Sequence, residues 1–435
     1  MKTLIAFIAA LLVTPLAHAE ENRIQQVISP GGIEAWLVEE PAIPMVAVEL
    51  MFPGGARVDA EGQEGAAYLT AGLIEEGAGD MDSQGFALRK EDLSTRIGFD
   101  SGRDEFTVGM RALTANLEES FELLHIALTE PTFEQRQIDR VRDQVLAGMK
   151  SDLVNPNTQG ATEWFKQMFP GTSYGRPTKG TPDSINGLTR ADIIDTYSRM
   201  AVKSRMKIGV VGDIDAETLG LLLDKTFGDL PEGEALDRTP IEGTGVSGVH
   251  LIQADVPQSS VILGHEGILR SDDDFIAAYV MNHVLGGGGF NSRLTTEVRE
   301  KNGLAYSVYS YLSPYDRAGL YMGGVATANE RVKQSIDLIR AEWARMADEG
   351  VTEKELTAAK RYLTGAFALR FDSNAKIARY LAGLQSAGLD IDYIDKRNDL
   401  VDAVTIEDIN RVAKRLLKPE ELFVVVVGNP TDLEE

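Results

Sequence analysis

The amino-acid sequence predicts an α+β protein built from two homologous α/β domains, because it contains an internal repeat. The segment LTRADI at Leu188–Ile193 returns as VTIEDI at Val404–Ile409. In the same way, KIGVVGD at Lys207–Asp213 returns as FVVVVGN at Phe423–Asn429. Both pairs are 216 positions apart, and a constant offset across two different elements indicates duplication. Two copies of this length are too few and too long for a solenoid, so we expect two domains.

Composition sets the predicted domain boundaries. Residues 1–19 have one Lys, a short apolar run and a small-x-small end, which is typical of a secretory signal peptide cleaved after Ala19. The run is too short to span a bilayer. Residues 20–229 form the predicted N-terminal domain and residues 249–435 the C-terminal domain. Between them, residues 230–248 are rich in Gly, Pro and Glu and are predicted to be the linker.

The bulk composition of the 435 residues excludes several functional classes. The apolar fraction of 43% and the charged fraction of 25% are typical of a soluble globular protein. The formal charge of -24 argues against nucleic acid and anionic membrane surfaces as partners. The absence of cysteine excludes a disulfide framework and a thiolate metal site. Together with the signal peptide, these features predict a periplasmic protein.

Periodicity and turn signals predict the order of elements in the first half. The predicted strands are Ile24–Ser29, Ile33–Glu40, Pro44–Pro53, Gly98–Ser101, Glu105–Met110 and Met206–Val211. The predicted helices are Glu64–Glu75, Ser83–Ile97, Leu117–Thr129, Phe133–Leu153, Thr162–Phe169, Arg190–Met200 and Ala216–Phe227.

The second half contains a stretch, GGGGFNSRLTTEVREKNGLAY, with the pattern loop, helix, turn and strand. The four glycines Gly286, Gly287, Gly288 and Gly289 lack side chains, so they predict a flexible or closely approached loop rather than core packing. Asn291 or Ser292 is a suitable N-cap for the following helix. An Asn-Gly pair ends that helix, and residues 304–312 are rich in the Tyr and Val typical of strands.

The segment RLTTEVREKNGLAYSVYSYL resembles the insulinase/pitrilysin zinc peptidases, especially the short bacterial and mitochondrial-processing-peptidase branch. In that family an Arg, followed seven residues later by a Tyr, reaches a zinc site built by another domain, and Arg299 and Tyr306 match this spacing. The resemblance implies an inverted-zincin fold, in which each domain has a mixed, largely antiparallel sheet with helices on one side. Two such domains form one half of a clam shell, and two chains enclose a peptide-sized chamber.

The resemblance also gives the glycines Gly286–Gly289 a role in binding substrate. They occupy the place at which the zinc-less subunit of the mitochondrial processing peptidase has a glycine-rich, substrate-contacting loop. A long, flexible turn with no such role is the equally weighted alternative.

Catalytic members of the family have His-x-x-Glu-His in the first half, because two His at i and i+4 share one helical face and bind zinc. Alignment of the preceding residues places Tyr68 at the first His, Ala71 at the general base and Gly72 at the second His. No register error restores the motif, since there is no His between His18 and His125. The expected distal Glu ligand is also missing, so the sequence predicts no metal bound by this chain.

The remaining histidines offer no alternative metal site. His125 lies on an apolar helix, where a packing or capping role is favoured. His265 and His283 are eighteen positions apart and, like His250, have no ligand-like spacing.

The leading functional hypothesis is a non-catalytic subunit of a heterodimeric periplasmic zinc peptidase. It donates Arg299 and Tyr306 to the active site of a homologous partner, which holds the zinc and hydrolyses the peptide substrate. The alternative hypothesis is an inactive peptide-binding or scaffold protein that works without a peptidase partner. A third, least favoured hypothesis is an autonomous enzyme with an unfamiliar metal site. For the two side chains alone, the structural alternative is a solvated or ion-paired Arg299 and a strand-packing Tyr306.

Overall fold

The computed structural model describes residues 24–431 and Leu433, which form two sheets with their helices. The predicted signal peptide lies outside the described residues. No helix of the described part of the chain is long and apolar enough to cross a membrane.

The first half contains a six-stranded sheet with antiparallel and parallel pairs. Its strands are β1 (Gln25–Ile28), β2 (Glu34–Glu39), β3 (Met45–Pro53), β6 (Arg96–Ser101), β7 (Glu105–Leu113) and β8 (Lys207–Gly212), and β4 (Gly77–Ala78) and β5 (Met81–Asp82) form a separate short ribbon. The helices are α1 (Ala66–Ala71), α2 (Ser83–Asp92), α3 (Leu117–Thr129), α4 (Gln135–Asp152), α5 (Pro156–Met168), α6 (Pro182–Gly187), α7 (Arg190–Met200) and α8 (Ala216–Phe227).

The second half contains a five-stranded sheet, and residues 231–247 connect it to the first half without helix or strand. Its strands are β9 (Gly248–Gln253), β10 (Gln258–Glu266), β11 (Ala305–Pro314), β12 (Gly319–Ala328) and β13 (Phe423–Gly428). Its helices are α9 (Phe275–Asn282), α10 (Val332–Glu349), α11 (Glu353–Gly365), α12 (Asn374–Ser386), α13 (Tyr393–Ala403) and α14 (Ile406–Leu416).

The predicted internal repeat is confirmed in the structure. Helix α14 lies 216 positions after α7, and β13 lies 216 positions after β8, at both ends of each element. Both helices begin with the same capping box, in which Thr189 pairs with Asp192 and Thr405 with Asp408. The strand orders also match, since β2-β8-β3-β7-β6 in the first sheet corresponds to β9-β13-β10-β12-β11 in the second. The fold is therefore the two-domain mixed α/β arrangement that the sequence predicts.

Helix α5 of the first half packs against the sheet of the second half. Trp164 is buried there, and its indole nitrogen donates a hydrogen bond to the carbonyl of Phe423 at 3.2 Å. The helix approaches closely at Gly160, where a Cβ atom would lie 3.0 Å from the side chain of Ile262.

Helix α12 of the second half packs in the same way on β8 and β3 of the first half. At Gly209 of β8, a Cβ atom would lie only 2.0 Å from the carbonyl oxygen of Ala378, so this strand position requires glycine. Gln385 donates a hydrogen bond to the carbonyl of Ile208 at 2.7 Å. Each sheet therefore has helices of its own half on one face and a helix of the other half on the opposite face.

Three of the sequence-predicted helices have clearly different bounds in the structure. The helix predicted over Glu64–Glu75 covers only Ala66–Ala71, and a separate 3-10 turn follows at Ile74–Glu76. The helix predicted over Ser83–Ile97 ends at Asp92, because Ser94 adopts a left-handed backbone with φ of 49° and the chain then enters β6. The helix predicted over Thr162–Phe169 begins at Pro156. Its N-cap is Asn155, and proline is well suited to a first helical position.

We predict that Gly209→Ala destabilises the contact between the two halves. The new methyl group would collide with the backbone of α12, which cannot move without losing its packing on β8. Overpacking of this kind costs about 1–3 kcal/mol, measurable as a lower free energy of unfolding in urea. Gly98→Ala is the matched control, since Gly98 lies in the same sheet with open space around its Cβ position. Equal stability of the two variants would contradict the prediction.

Candidate functional site

Arg299 and Tyr306 line one cavity of about 600 Å³ in the second half, here called the tyrosine cavity. Its wall is formed by the end of α9, the glycine-rich segment, the helix that carries Arg299, strand β11 and helix α11. The other aromatic side chains that line it are Tyr279, His283, Phe290, Tyr309, Tyr311 and Tyr362.

The Arg299 guanidinium contacts aromatic rings rather than carboxylates. It lies 4.4 Å from the ring centroid of Phe290 and 5.0 Å from that of Tyr306. Cation–π contacts of this geometry hold a guanidinium in place without neutralising its charge. Within residues 24–431, Arg299 has neither an ion pair nor a side-chain hydrogen bond, and Tyr306 is 83% exposed. An ion-paired Arg299 and a strand-packing Tyr306 are therefore not what the structure contains.

A β-bulge brings Tyr306 into the same cavity as the other tyrosines of β11. In a regular strand Tyr306 and Tyr309 would point to opposite faces of the sheet. Here Ala305 pairs with Thr327 and Val308 with Val325, so β11 has one extra residue at this point. Beyond the bulge, Tyr309 and Tyr311 stack with their ring centroids 6.0 Å apart. Burial and the neighbouring tyrosine hydroxyls raise the pKa of Tyr311 to about 12, so its hydroxyl stays protonated at neutral pH.

The four glycines adopt two conformations, so the predicted loop is only partly correct. Gly286 and Gly287 continue α9 as a π-helix over His283–Gly287, whereas Gly288 and Gly289 turn the chain away from it. A Cβ atom on Gly286 would lie 2.5 Å from the backbone nitrogen of Ser310 in β11. Gly286 therefore allows the π-helix to approach β11 closely, as one of the two sequence-based expectations had it. Gly289 adopts a positive φ of 57°, which glycine tolerates.

Arg299 lies on a helical segment that begins at Arg293 and is a π-helix over Thr295–Lys301. The Ser292 hydroxyl, just before this segment, accepts a hydrogen bond from the backbone nitrogen of Thr295 at 3.3 Å. Arg293, in the first turn, forms a bidentate ion pair with Glu355 of α11 at 2.7 and 2.8 Å. It also donates to the carbonyl of Gly350 at 2.8 Å. These contacts fix the direction in which the helix presents Arg299.

The ion pair also sets the titration of Glu355. Burial alone would raise its pKa, but hydrogen bonds from Arg293 and Thr352 and the Arg293 charge outweigh burial and lower the pKa to about 2.

The positions that correspond to the zinc motif lie on or next to α1. Tyr68, Ala71 and Gly72 line a separate cavity of about 400 Å³. The ammonium of Lys179 lies over the Tyr68 ring, 5.8 Å from its centroid. A cation already occupies the place next to this ring, and none of the three residues provides a metal ligand.

Most carboxylates around this cavity have basic partners. Asp152 accepts a hydrogen bond from Lys179 at 2.8 Å. Glu75 forms an ion pair with Lys90, and Glu76 with Arg140. In the described ranges, no group of three or more His, Cys, Asp or Glu side chains could hold a metal ion. The residues present therefore do not fit a zinc ion.

The four histidines of the described chain have structural contacts. His265 is buried, which lowers its pKa, and it hydrogen-bonds the Glu266 carbonyl at 2.6 Å and the Trp343 indole at 3.2 Å. His283 stacks on Tyr362 with ring centroids 5.0 Å apart, and burial lowers its pKa. His125 contacts the carbonyl of Thr226 at 2.9 Å, and His250 lies 3.8 Å from Glu163; neither lines the tyrosine cavity.

Sequence reasoning brought Arg299, Tyr306 and the glycines together but missed the aromatic lining. Tyr309 and Tyr311 are two positions apart on one strand, and this period-2 pattern is a signal that could have identified them. Phe290 and Tyr362 lie on separate elements with no common periodicity. Their contribution becomes visible only in the fold.

Comparison with protein families gives two matches along the chain. A model described as insulinase (peptidase family M16) matches residues 35–180. A model described as peptidase M16 inactive domain matches residues 187–363. The two models together match most of the chain.

Individual relatives and solved structures agree with these matches. A non-peptidase homolog from Helicobacter pylori is 23% identical, covering 93% of this chain and 94% of its own. An uncharacterized zinc protease from Streptomyces coelicolor is 24% identical, covering 91% and 87%. The crystal structure of a peptidase M16 inactive domain from Pseudomonas fluorescens has a TM-score of 0.88 and 28% identity, covering 95% and 99%. A protease structure from Helicobacter pylori, at 18% identity and a TM-score of 0.84 over 94% and 99%, shares the fold.

We predict that Glu355→Gln destabilises the second half at neutral pH by about 1–3 kcal/mol, the range for a hydrogen-bonded charged pair. Because the folded-state pKa of Glu355 is lowered, its stabilising contribution is complete above the unfolded value of 4.5. It is lost as the pH falls towards about 2. Urea unfolding from pH 7 to pH 3 should therefore show the difference from the unsubstituted chain shrinking below pH 4.5. Glu353→Gln, exposed in the same helical turn, is the control, and a difference that grows on acidification would contradict the prediction.

Proposed function

Because the chain belongs to the insulinase (M16) family of peptidases and is one of its inactive members, we propose that it is the non-catalytic subunit of a heterodimeric zinc peptidase. The partner is a homologous chain with an intact His-x-x-Glu-His motif. The observation that carries the proposal is the state of Arg299 and Tyr306. Both side chains line an open cavity, and within the described chain neither is engaged by a hydrogen bond or an ion pair.

The proposed role of the two side chains follows from their chemistry. A zinc ion held by the His-x-x-Glu-His motif of the partner would supply a Lewis acid for activating water. The Arg299 guanidinium offers fixed, charged donors, and the Tyr306 hydroxyl offers one neutral donor. Aimed at the developing oxyanion of the scissile carbonyl, such donors stabilise the transition state more than the substrate. Contacts with Phe290 keep Arg299 oriented without satisfying its donors, which suits a group that acts on a ligand.

Peptide binding by strand addition fits the edges of both sheets. Strand β6 pairs with β7 alone and β11 with β12 alone within the part of the chain that the structure describes. An extended peptide can therefore add to either edge through main-chain hydrogen bonds, which read backbone rather than sequence. Strand β6 contributes Phe99 and Asp100 to the cavity beside Tyr68, and β11 contributes Tyr306 to the tyrosine cavity. Broad peptide specificity follows from this mode of binding.

The proposed compartment is the periplasm, and the signal-peptide pattern that ends at Ala19 supports it. N-terminal sequencing of the protein recovered from a periplasmic extract tests this point. An intact N-terminus in the cytoplasmic fraction would contradict it.

We predict that Arg299→Ala or Tyr306→Phe lowers kcat of the two-chain enzyme by about 100- to 1,000-fold, the usual effect of removing one oxyanion donor. The measurement is peptide cleavage by the partner co-purified with each variant, with complex formation checked by size-exclusion chromatography.

Lys301→Ala is the control for that experiment. Lys301 is exposed on the same helix and pairs with Glu297 four residues earlier, at 2.7 Å. Its loss should leave cleavage within about two-fold, because exposed helical ion pairs contribute little. Full cleavage by both the Arg299→Ala and Tyr306→Phe complexes would refute the proposed donation.

A further inference from the structure

A third cavity, of about 510 Å³, lies where the two halves meet, and its charged lining is entirely basic. Met51 of β3 forms part of the wall from the first half. The basic side chains in the wall are Arg270, Arg370, Lys376, Arg379 and Arg397. No Asp or Glu of the described chain lines this cavity, although the protein has 67 acidic and 43 basic residues. We call it the arginine cavity.

Two of the basic residues are neutralised by neighbours and three are not. Arg379 pairs with Glu49 at 2.8 Å, and Lys376 with Asp372 at 2.7 Å. By contrast, Arg270, Arg370 and Arg397 have no carboxylate within 4 Å among residues 24–431 and 433. Three uncompensated guanidiniums around one cavity are unusual in an acidic protein, since most of its cations have anionic partners available.

Arg397 is the most informative of the three because it is only 4% exposed. Its Nη1 donates to the carbonyl of Leu363 at 2.7 Å and to the side chain of Asn398 at 2.9 Å. Its other guanidinium nitrogens make no hydrogen bond within the described chain. Burying a charge without a counterion is costly, so the site is electrostatically incomplete until an anion enters.

The cavity wall provides aromatic surfaces beside the free charges. The Arg397 guanidinium lies 4.5 Å from the ring centroid of Phe367, and that of Arg270 lies 4.3 Å from Phe275. Tyr380 is close enough to all three unpaired arginines for their charges to act on its hydroxyl. Burial and nearby Tyr393 raise its pKa to about 12, while the three guanidiniums act to lower it. The three arginines thus line one cavity together with aromatic rings.

The arginine cavity adjoins the tyrosine cavity. Tyr279 and Arg370 line both of them, and the Tyr279 hydroxyl accepts a hydrogen bond from Arg370 at 3.1 Å. The two cavities therefore share part of one wall, so the arginine cavity lies next to the cavity that Arg299 and Tyr306 line.

We propose that the arginine cavity binds a peptide carboxylate, with Arg270, Arg370 and Arg397 as its ligands and the aromatic walls around the adjacent side chain. Guanidinium forks match carboxylates in a bidentate geometry, and about 510 Å³ is in the range of sites for small ligands. The carboxylate comes from the C-terminus of the peptide or from an acidic side chain. This inference takes from the proposed function only that peptides are the ligands, and it requires neither the partner nor zinc.

The test is calorimetric titration of the purified full chain, without any partner, by three short peptides. The first is an acetylated peptide that ends in Phe with a free carboxylate, the second is its C-terminal amide, and the third is an amide with one internal Glu. We expect the free acid to bind roughly ten- to a hundred-fold more tightly than its amide, with the preference weakening as NaCl rises. Strong binding of the Glu-containing amide would identify the side-chain source of the carboxylate instead.

Variants decide whether the arginines are responsible. Arg270→Gln and Arg370→Gln should each reduce the acid-to-amide preference by about ten-fold, and Arg270→Lys should retain part of it. Arg136→Gln, exposed on α4, changes the net charge equally and should have no effect. These variants avoid the buried Arg397, whose loss could prevent folding.

Three results would overturn the inference: equal binding of acid and amide, an unchanged preference in both arginine variants, and no binding of any of the three peptides. Its failure and that of the proposed function remain distinguishable. If the chain binds carboxylates selectively but never supports peptidase activity, the carboxylate site is upheld and the proposed function is refuted. If cleavage depends on Arg299 but the isolated chain binds none of the peptides, the carboxylate site is refuted and the proposed function is upheld.

Discussion

Each half places one helix on the sheet of the other half, and the rest of the structure depends on these two contacts. Helix α5 covers the free face of the second sheet, and α12 covers the free face of the first. Both contacts are tight, since Trp164 of α5 hydrogen-bonds the backbone of β13 and Gly209 of β8 leaves no room for a Cβ atom beside α12. Separation of the halves would expose both apolar faces to water, at about 25 cal/mol for each Å². This cost opposes separation of the two halves, and the arginine cavity lies where they meet.

The positions that correspond to the zinc motif of the family lie in the first half, whereas the residues proposed to act on a ligand lie in the second half. Around Tyr68, three carboxylates are paired with basic side chains, so the electrostatic attraction for a metal cation is largely cancelled. Around Arg299 the opposite holds, because the guanidinium contacts rings and keeps its charge. An unsatisfied cation next to exposed hydroxyls is poorly suited to stabilising a monomer. It is well suited to contacting a charged intermediate that another chain generates, which is the basis of the proposed subunit role.

The sequence alone predicted the duplication, the two-domain class and most helices of the first half, because these depend on local periodicity and on an offset that is visible in one chain. It also showed the absence of the His-x-x-Glu-His motif and singled out Arg299 and Tyr306. It could not predict the bulge between Ala305 and Val308, since pairing register depends on the neighbouring strand. Nor could it predict the exchange of α5 and α12, or a cavity whose arginines come from separate segments. These are long-range features with no periodic signal.

Purification of the protein from a native extract, with identification of the co-purifying chain and analysis of bound metal, tests the central claim most directly. The proposal predicts a second chain of similar size with an intact His-x-x-Glu-His motif, and about one zinc for each pair of chains. Recovery of the protein alone or only with copies of itself, or stoichiometric zinc on this chain without a partner, would contradict the proposal.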